Sequence, residues 1–185
     1  MSEMKSSYKN SINYKDVFQT ICFMHKNPKK IVEIGILDGY SLKAIADSVT
    51  YDCDINAYDI FDDFNGNSAN KDKLINTFKT YKNVSIQYGD FYKLVESFEN
   101  KSIDILHIDI ANNGDTYEYV FKNYINKIND NGIIILEGGS EARDNIDWMN
   151  KYNKPKINPI LKDNLSKFNI LTIGDIPSIT IIYGK

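Results

Sequence analysis

Residues Lys30 to Ala46, read as KIVEIGILDGYSLKAIA, limit what this chain can fold into more than any other stretch. Ile31, Val32 and Ile34 are β-branched and nearly continuous, as in a parallel strand covered on both faces. Gly35 and Gly39 lack a Cβ, so the backbone between them can take positive φ and a ligand can approach its N–H groups. Ser41 is the candidate N-cap of a helix that carries Leu42, Ile45 and Ala46 at helical spacing. A strand, a glycine turn and a helix start in that order aim backbone donors and a helix dipole into a cleft.

Glycine spacing separates two cofactor classes. A dinucleotide fingerprint requires G-x-G-x-x-G, with the second glycine making room for a pyrophosphate. Here that second position is Leu37, and the pattern is Glu33-x-Gly35-x-x-x-Gly39-Tyr40-Ser41. This pattern resembles the first motif of class I S-adenosylmethionine-dependent methyltransferases, in particular the form found in catechol-type O-methyltransferases. The resemblance implies that the Gly35 to Ser41 turn holds the methionine part of the cofactor. It also implies that Glu33 steadies the turn or the cofactor's amino group.

The chain has 185 residues, 42% of them hydrophobic, and no long biased segment, which fits one domain spanning residues 1–185. Within it, residues 1–29 read as an N-terminal helical cap and 30–185 as the core. A net charge of −3 excludes a broad phosphate-neutralising surface, and with it a nucleic-acid partner. No apolar run is long enough to cross a bilayer, so no membrane partner is expected. Cys22 and Cys53 form neither a metal-ligand spacing nor a disulfide framework, which reads as a reducing cytoplasm.

Taken in order, Ser11 to Asn27 reads as a helix with Tyr14, Val17, Phe18, Ile21 and Cys22 on one face. Strands follow at Ile31–Ile34, Ile55–Ile60, Val84–Tyr88, Ile103–Asp109 and Ile133–Glu137, with helices over Lys71–Thr80, around Leu94 to Phe98, and over Thr116–Ile128. A further helix carries Arg143, Ile146, Asp147, Trp148 and Met149. Lys154 to Lys167 reads as a polar surface connection. Two alternating segments, Asn169–Ile173 and Ser178–Tyr183, flank a Gly/Pro turn as a terminal hairpin. The expected fold is α/β: a Rossmann-like, doubly wound, mostly parallel seven-stranded sheet closed by an antiparallel hairpin.

Acids at the ends of strands mark the crevice. Asp59, followed by Ile60 to Phe64, offers two acceptor oxygens to a ribose. Asp90 suits a helix N-cap, and the resemblance also gives it the adenine amino group and gives Phe91 the ring face. His107-Ile108-Asp109, with Tyr117-Glu118-Tyr119-Val120 downstream, resembles macrocin-type sugar O-methyltransferases. Those relatives use Mg²⁺, which would be held here by Asp109 and Glu137. The neighbour of Glu137 is Gly138, however, and Ala111 and Asn112 at the usual base positions cannot take a proton, so a metal is not favoured.

His107 is either a substitute base, on the same face as Asp109, or a core histidine bonded to a backbone carbonyl. Arg143, the only arginine, either clamps a carboxylate or phosphate with its planar fork or pairs with Glu141 or Asp144 on a helix surface. In the first case the acceptor is already ionised and needs no base. Trp148 and Tyr40 are candidate walls of that pocket. The resulting expectation is an S-adenosylmethionine-dependent methyltransferase acting on an oxygen of a small polar metabolite, a sugar hydroxyl or a phosphate- or carboxylate-type oxygen, with a homodimer implied by the family and the aromatic content. The competing readings are a nicotinamide-dependent oxidoreductase and a non-catalytic Rossmann-like binding protein.

Overall fold

The computed structural model describes residues 4–8, 12–63 and 67–185. Ser11 and Phe64, read from sequence as a helix start and part of a loop, lie outside them. Seven strands form one sheet: β1 (Lys30–Ile34), β2 (Asp54–Asp59), β3 (Val84–Tyr88), β4 (Ile103–Ile108), β5 (Ile128–Glu137), β6 (Phe168–Ile173) and β7 (Ile179–Gly184). Their order is β3-β2-β1-β4-β5-β7-β6. The first five run parallel, and β7 is antiparallel to both β5 and β6. This is the doubly wound sheet with a terminal hairpin that the strand pattern predicts.

Alternation along the strands assigns each side chain to one of two layers. Ile31, Ile55, Ile105, Ile135 and Ile181 face α1 (Tyr14–Met24), α2 (Tyr40–Ala46) and α3 (Lys71–Phe78), packing with Phe18, Leu42, Ile45 and Leu74. Val32, Ile34, Leu106, Ile108, Ile134 and Leu136 face the other way, toward α4 (Phe91–Leu94), α5 (Gly114–Tyr119) and α7 (Ile157–Asn164). The parity that puts Ile31 and Ile105 in the first layer also puts Glu33, His107 and Asp109 there. With both faces covered, the strands read as near-continuous apolar runs.

Four local expectations change. The helix read as Thr116–Ile128 is α5 followed by a π turn at Val120–Tyr124 and a 3₁₀ turn at Ile125–Lys127. Ile128 already pairs with Ile103 while Ile105 pairs with Ile133, so residues 129–132 bulge from β5. Gly132 permits the bulge, because a Cβ there would lie 2.4 Å from Ile128 Cγ2. The helix expected around Arg143 to Met149 is split into a 3₁₀ turn at Arg143–Asn145 and α6 (Asp147–Lys151). The supposed surface connection contains α7, which buries Ile157 and Leu161. Its first amides are capped from a distance, Ile157 N and Asn158 N donating to Asp144 at 2.8 Å each.

Candidate active site

The strand order reverses between β1 and β4, neighbouring parallel strands from which the chain winds outward to opposite edges of the sheet. In open α/β sheets a ligand crevice forms at that switch point, beyond the carboxyl ends of the strands. Gly35 and Gly39 border it with φ of +91° and +85°. A Cβ on Gly35 would lie 2.0 Å from the Asp109 carbonyl oxygen, so close packing of the β1 turn on the end of β4 requires glycine. Helix α2 starts one residue after Gly39, which is its N-cap. Ser41 therefore does not cap the helix: it lies inside the first turn, and its Oγ donates to Glu33 Oε1 at 2.5 Å. The Glu33 carboxylate, fully buried in β1, thereby ties the turn to the sheet.

Asp59 binds the protein with both oxygens. Oδ2 accepts from the amides of Ile36 at 2.8 Å and Leu37 at 3.4 Å, and Oδ1 from Phe61 N at 2.9 Å and Asn67 Nδ2 at 2.6 Å. A carboxylate has about four acceptor positions. Asp59 therefore fixes the glycine turn against the loop after β2, and a ribose would have to displace a donor, the Leu37 amide being the most weakly held. Asp90 is the N-cap of α4, accepting from Tyr92 N at 3.0 Å. Phe91 does not present a free ring face: it is buried and stacks on Tyr124, with centroids 5.1 Å apart and planes at 10°. Tyr40 is half-buried against the first core layer.

His107 is fully buried beside Phe18, with ring centroids 4.9 Å apart. Its Nε2 shares a 3.0 Å hydrogen bond with the Tyr8 phenol, and not with a backbone carbonyl. Its Nδ1 lies 3.4 Å from Glu33 Oε1, without hydrogen-bond alignment. Half-buried Asp109 stands two residues on, and its Oδ2 accepts from Ser7 Oγ at 2.8 Å. Burial raises the Asp109 carboxyl above its ordinary pKa, opposed by the neighbouring His107 and by the Ser7 hydrogen bond. Burial and the surrounding carboxylates push the Tyr8 phenol well above the usual tyrosine value, so it stays protonated.

Arg143 pairs not with Glu141 or Asp144 on a helix surface but with buried Glu137, and its Nη1 is buried without a hydrogen-bond partner. Nε donates to Glu137 Oε1 at 2.7 Å and Nη2 to Oε2 at 2.9 Å, with a longer 3.3 Å bond to the Asn112 carbonyl. Both side chains are buried. Glu137, the second candidate Mg²⁺ ligand, thus has both oxygens engaged by a cation. Among the described residues no group of three His, Cys, Asp or Glu side chains is placed to hold a metal, so the residues present do not fit a Mg²⁺ site. Trp148 lies beside this pair, its ring centroid 5.8 Å from Arg143 Cζ. Asn112 cannot act as a base, but its Nδ2 stitches β4 to β5 through the carbonyls of Ile108 at 3.0 Å and Glu137 at 2.9 Å.

Ser7 and Tyr8 were not legible as site residues. The only signal is an aromatic side chain within a polar N-terminal stretch, six positions before Tyr14.

A seven-stranded sheet of this order, with a glycine turn and acids gathered at its switch point, defines a Rossmann-like fold. The family model described as Methyltransferase domain matches residues 32–137, and the chain belongs to that family. No curated protein matches the sequence. Among solved structures, a Klebsiella pneumoniae protein described as a candidate O-methyltransferase superposes with a TM-score of 0.72 at 13% identity, over 97% of this chain and 83% of that one. The O-methyltransferase from Bacillus cereus, in complex with S-adenosylhomocysteine, gives 0.69 at 16% identity, over 96% and 84%. TomG from Streptomyces achromogenes, an O-methyltransferase of tomaymycin synthesis in complex with S-adenosylmethionine, gives 0.69 at 12% identity, over 96% and 82%. Among the described residues no helix is long and apolar enough to cross a membrane.

Proposed function

We propose that the protein is an S-adenosylmethionine-dependent O-methyltransferase acting on a neutral hydroxyl of a small polar metabolite such as a sugar. The observation that carries this reading is the alcohol already seated on Asp109, the Ser7 hydroxyl donating to Oδ2 at 2.8 Å. An acceptor hydroxyl bound in the same way would direct its proton at a carboxylate whose pKa is raised toward the working pH, where a general base is most effective.

When bound, S-adenosylmethionine supplies a sulfonium methyl open to in-line displacement. The residues that would hold it are the Gly35–Gly39 turn, Glu33, Asp59 and Asp90. Glu33 Oε2 is buried there without a hydrogen-bond partner, a free acceptor for an ammonium group. The Bacillus cereus and Streptomyces achromogenes structures, which carry S-adenosylhomocysteine and S-adenosylmethionine, support S-adenosylmethionine as the cofactor. The protein's own work is to align the acceptor, exclude water and take its proton. Asp109 receives the proton, and His107, reached through Tyr8, lies one layer behind it. Arg143 supports the pocket wall through Glu137. Because that pair cancels its charge, a neutral acceptor is favoured over a phosphate or carboxylate.

Calorimetric titration tests the cofactor. We expect S-adenosylmethionine and S-adenosylhomocysteine to bind, NADH not to bind, and Mg²⁺ to change nothing. Failure of both sulfur ligands to bind would remove the reading. Turnover assayed by S-adenosylhomocysteine release against a panel of neutral sugars and sugar phosphates then tests the acceptor. Asp109→Asn should retain cofactor binding and lose turnover by about a hundredfold or more.

A further inference from the structure

Residues Lys5 to Tyr8 lie across the crevice. The Lys5 amide donates to Asp38 Oδ2 at 2.9 Å, on the glycine-turn side of the switch point. Two residues later Ser7 Oγ donates to Asp109 Oδ2, on the β4 side. Tyr8 then enters the core: it is 1% exposed, its ring packs 5.4 Å from Tyr14 and 5.3 Å from Phe18, and its hydroxyl meets His107.

These contacts differ in kind. Tyr8 is anchored by an apolar pocket and a buried hydrogen bond, whereas Lys5 and Ser7 are exposed and each holds the crevice by one hydrogen bond. Asp38 has a second donor, Lys73 Nζ at 2.9 Å, so it keeps a partner if Lys5 leaves. Asp109 would exchange the Ser7 hydroxyl for an acceptor hydroxyl without a change in bonding. Both latches can therefore open without stranding a buried charge.

We propose that Lys5–Tyr8 is a strap that closes the crevice over bound S-adenosylmethionine, with Tyr8 as its fixed anchor and the Ser7–Asp109 and Lys5–Asp38 contacts as its two releasable latches. This rests on the methyltransferase reading above. With Lys5 held on Asp38 the strap excludes water from the sulfonium, while the Ser7 latch gives up Asp109 only to an acceptor hydroxyl small enough to take its place. Its opening sets the rate at which cofactor and product exchange.

The test uses the full chain, wild type, Ser7→Ala and Ser7→Thr, with S-adenosylhomocysteine as the probe. Two quantities are followed: stopped-flow association and dissociation rates, and NMR hydrogen exchange at the Lys5 amide in the free protein. The strap requires a slowly exchanging Lys5 amide in wild type and faster exchange in Ser7→Ala. It also requires both ligand rates to rise about tenfold in Ser7→Ala with little change in Kd, and Ser7→Thr to restore wild-type rates by retaining the hydroxyl. Equal rates in wild type and Ser7→Ala, or a Lys5 amide exchanging as in an unfolded peptide, would overturn the strap. Protected exchange that Ser7→Ala releases, with no ligand binding by any variant, would support the closed strap and overturn the cofactor reading instead.

Discussion

Arg143 and Glu137 form a buried two-point ion pair, Nε to Oε1 at 2.7 Å and Nη2 to Oε2 at 2.9 Å, at the carboxyl end of β5. Removing one partner leaves the other charge without compensation in a site that has lost its solvation. Arg143→Met should lower stability at pH 8 by about 3–5 kcal/mol. Arg143→Lys should recover only part of this, since a point charge cannot match both oxygens. Urea denaturation followed by far-UV circular dichroism measures both. A loss within 0.5 kcal/mol would show that the pair relaxes into solvent (roughly the scale of surface changes).

Stability should fall as pH rises from about 4.5 to about 7. Burial pushes the Glu137 carboxyl up from its ordinary 4.5 to about 7, against the pull of Arg143, and Asp109 is raised in the same direction. Between these values the folded chain holds protons that the unfolded chain has released. The contribution is therefore fully present below the unfolded pKa and lost as pH rises through the folded one. Glu137→Gln should flatten this slope in a series of urea midpoints. An unchanged slope would place the titration elsewhere.

Gly35→Ala should be far more damaging than Gly39→Ala. At Gly35 the added Cβ meets the Asp109 backbone, at 2.0 Å from the carbonyl oxygen and 2.7 Å from the carbon, which cannot move without separating β1 from β4. At Gly39 it meets the Phe78 ring at 2.7 Å, and a side chain can shift. Both positions also carry the strain of positive φ, about 1–3 kcal/mol. We expect Gly39→Ala to fold with a reduced Tm and Gly35→Ala to lose at least about 4 kcal/mol, in the exceptional range for a single substitution. Thermal scans of the two variants side by side decide it.

Ser41→Ala removes the hydroxyl that Glu33 Oε1 accepts at 2.5 Å and leaves a buried carboxylate with neither oxygen well partnered. The expected cost is about 1–3 kcal/mol. S-adenosylhomocysteine affinity should weaken as well, because the same bond holds the glycine turn on the sheet. Chemical denaturation and calorimetry on one preparation separate the two effects. A stability loss with unchanged affinity would show that the turn keeps its shape without this bond.

The sequence by itself determined the elements whose pattern is local. The apolar run at Ile31–Ile34 and the two glycines fix a strand and a positive-φ turn from residues adjacent in the chain, and the alternation over Asn169–Ile173 and Ser178–Tyr183 fixes a hairpin. The acids Asp59 and Asp109 were legible as crevice residues because they end apolar strands, and Glu33 through its place in the glycine motif. Only the tertiary structure decided what those groups bond to. Ser7 meets Asp109 and Tyr8 meets His107 across about a hundred residues of chain, Asp144 caps α7 from a separate turn, and Asp59 spends its oxygens on the glycine turn. Arg143 and Glu137 are only six residues apart, yet their pairing depends on the reversal at Gly138 and Gly139, with φ of +97° and +106°. Periodicity records which face of an element is apolar. A polar side chain's partner depends on which donors the fold brings within about 3 Å, and desolvation then makes that choice costly to reverse.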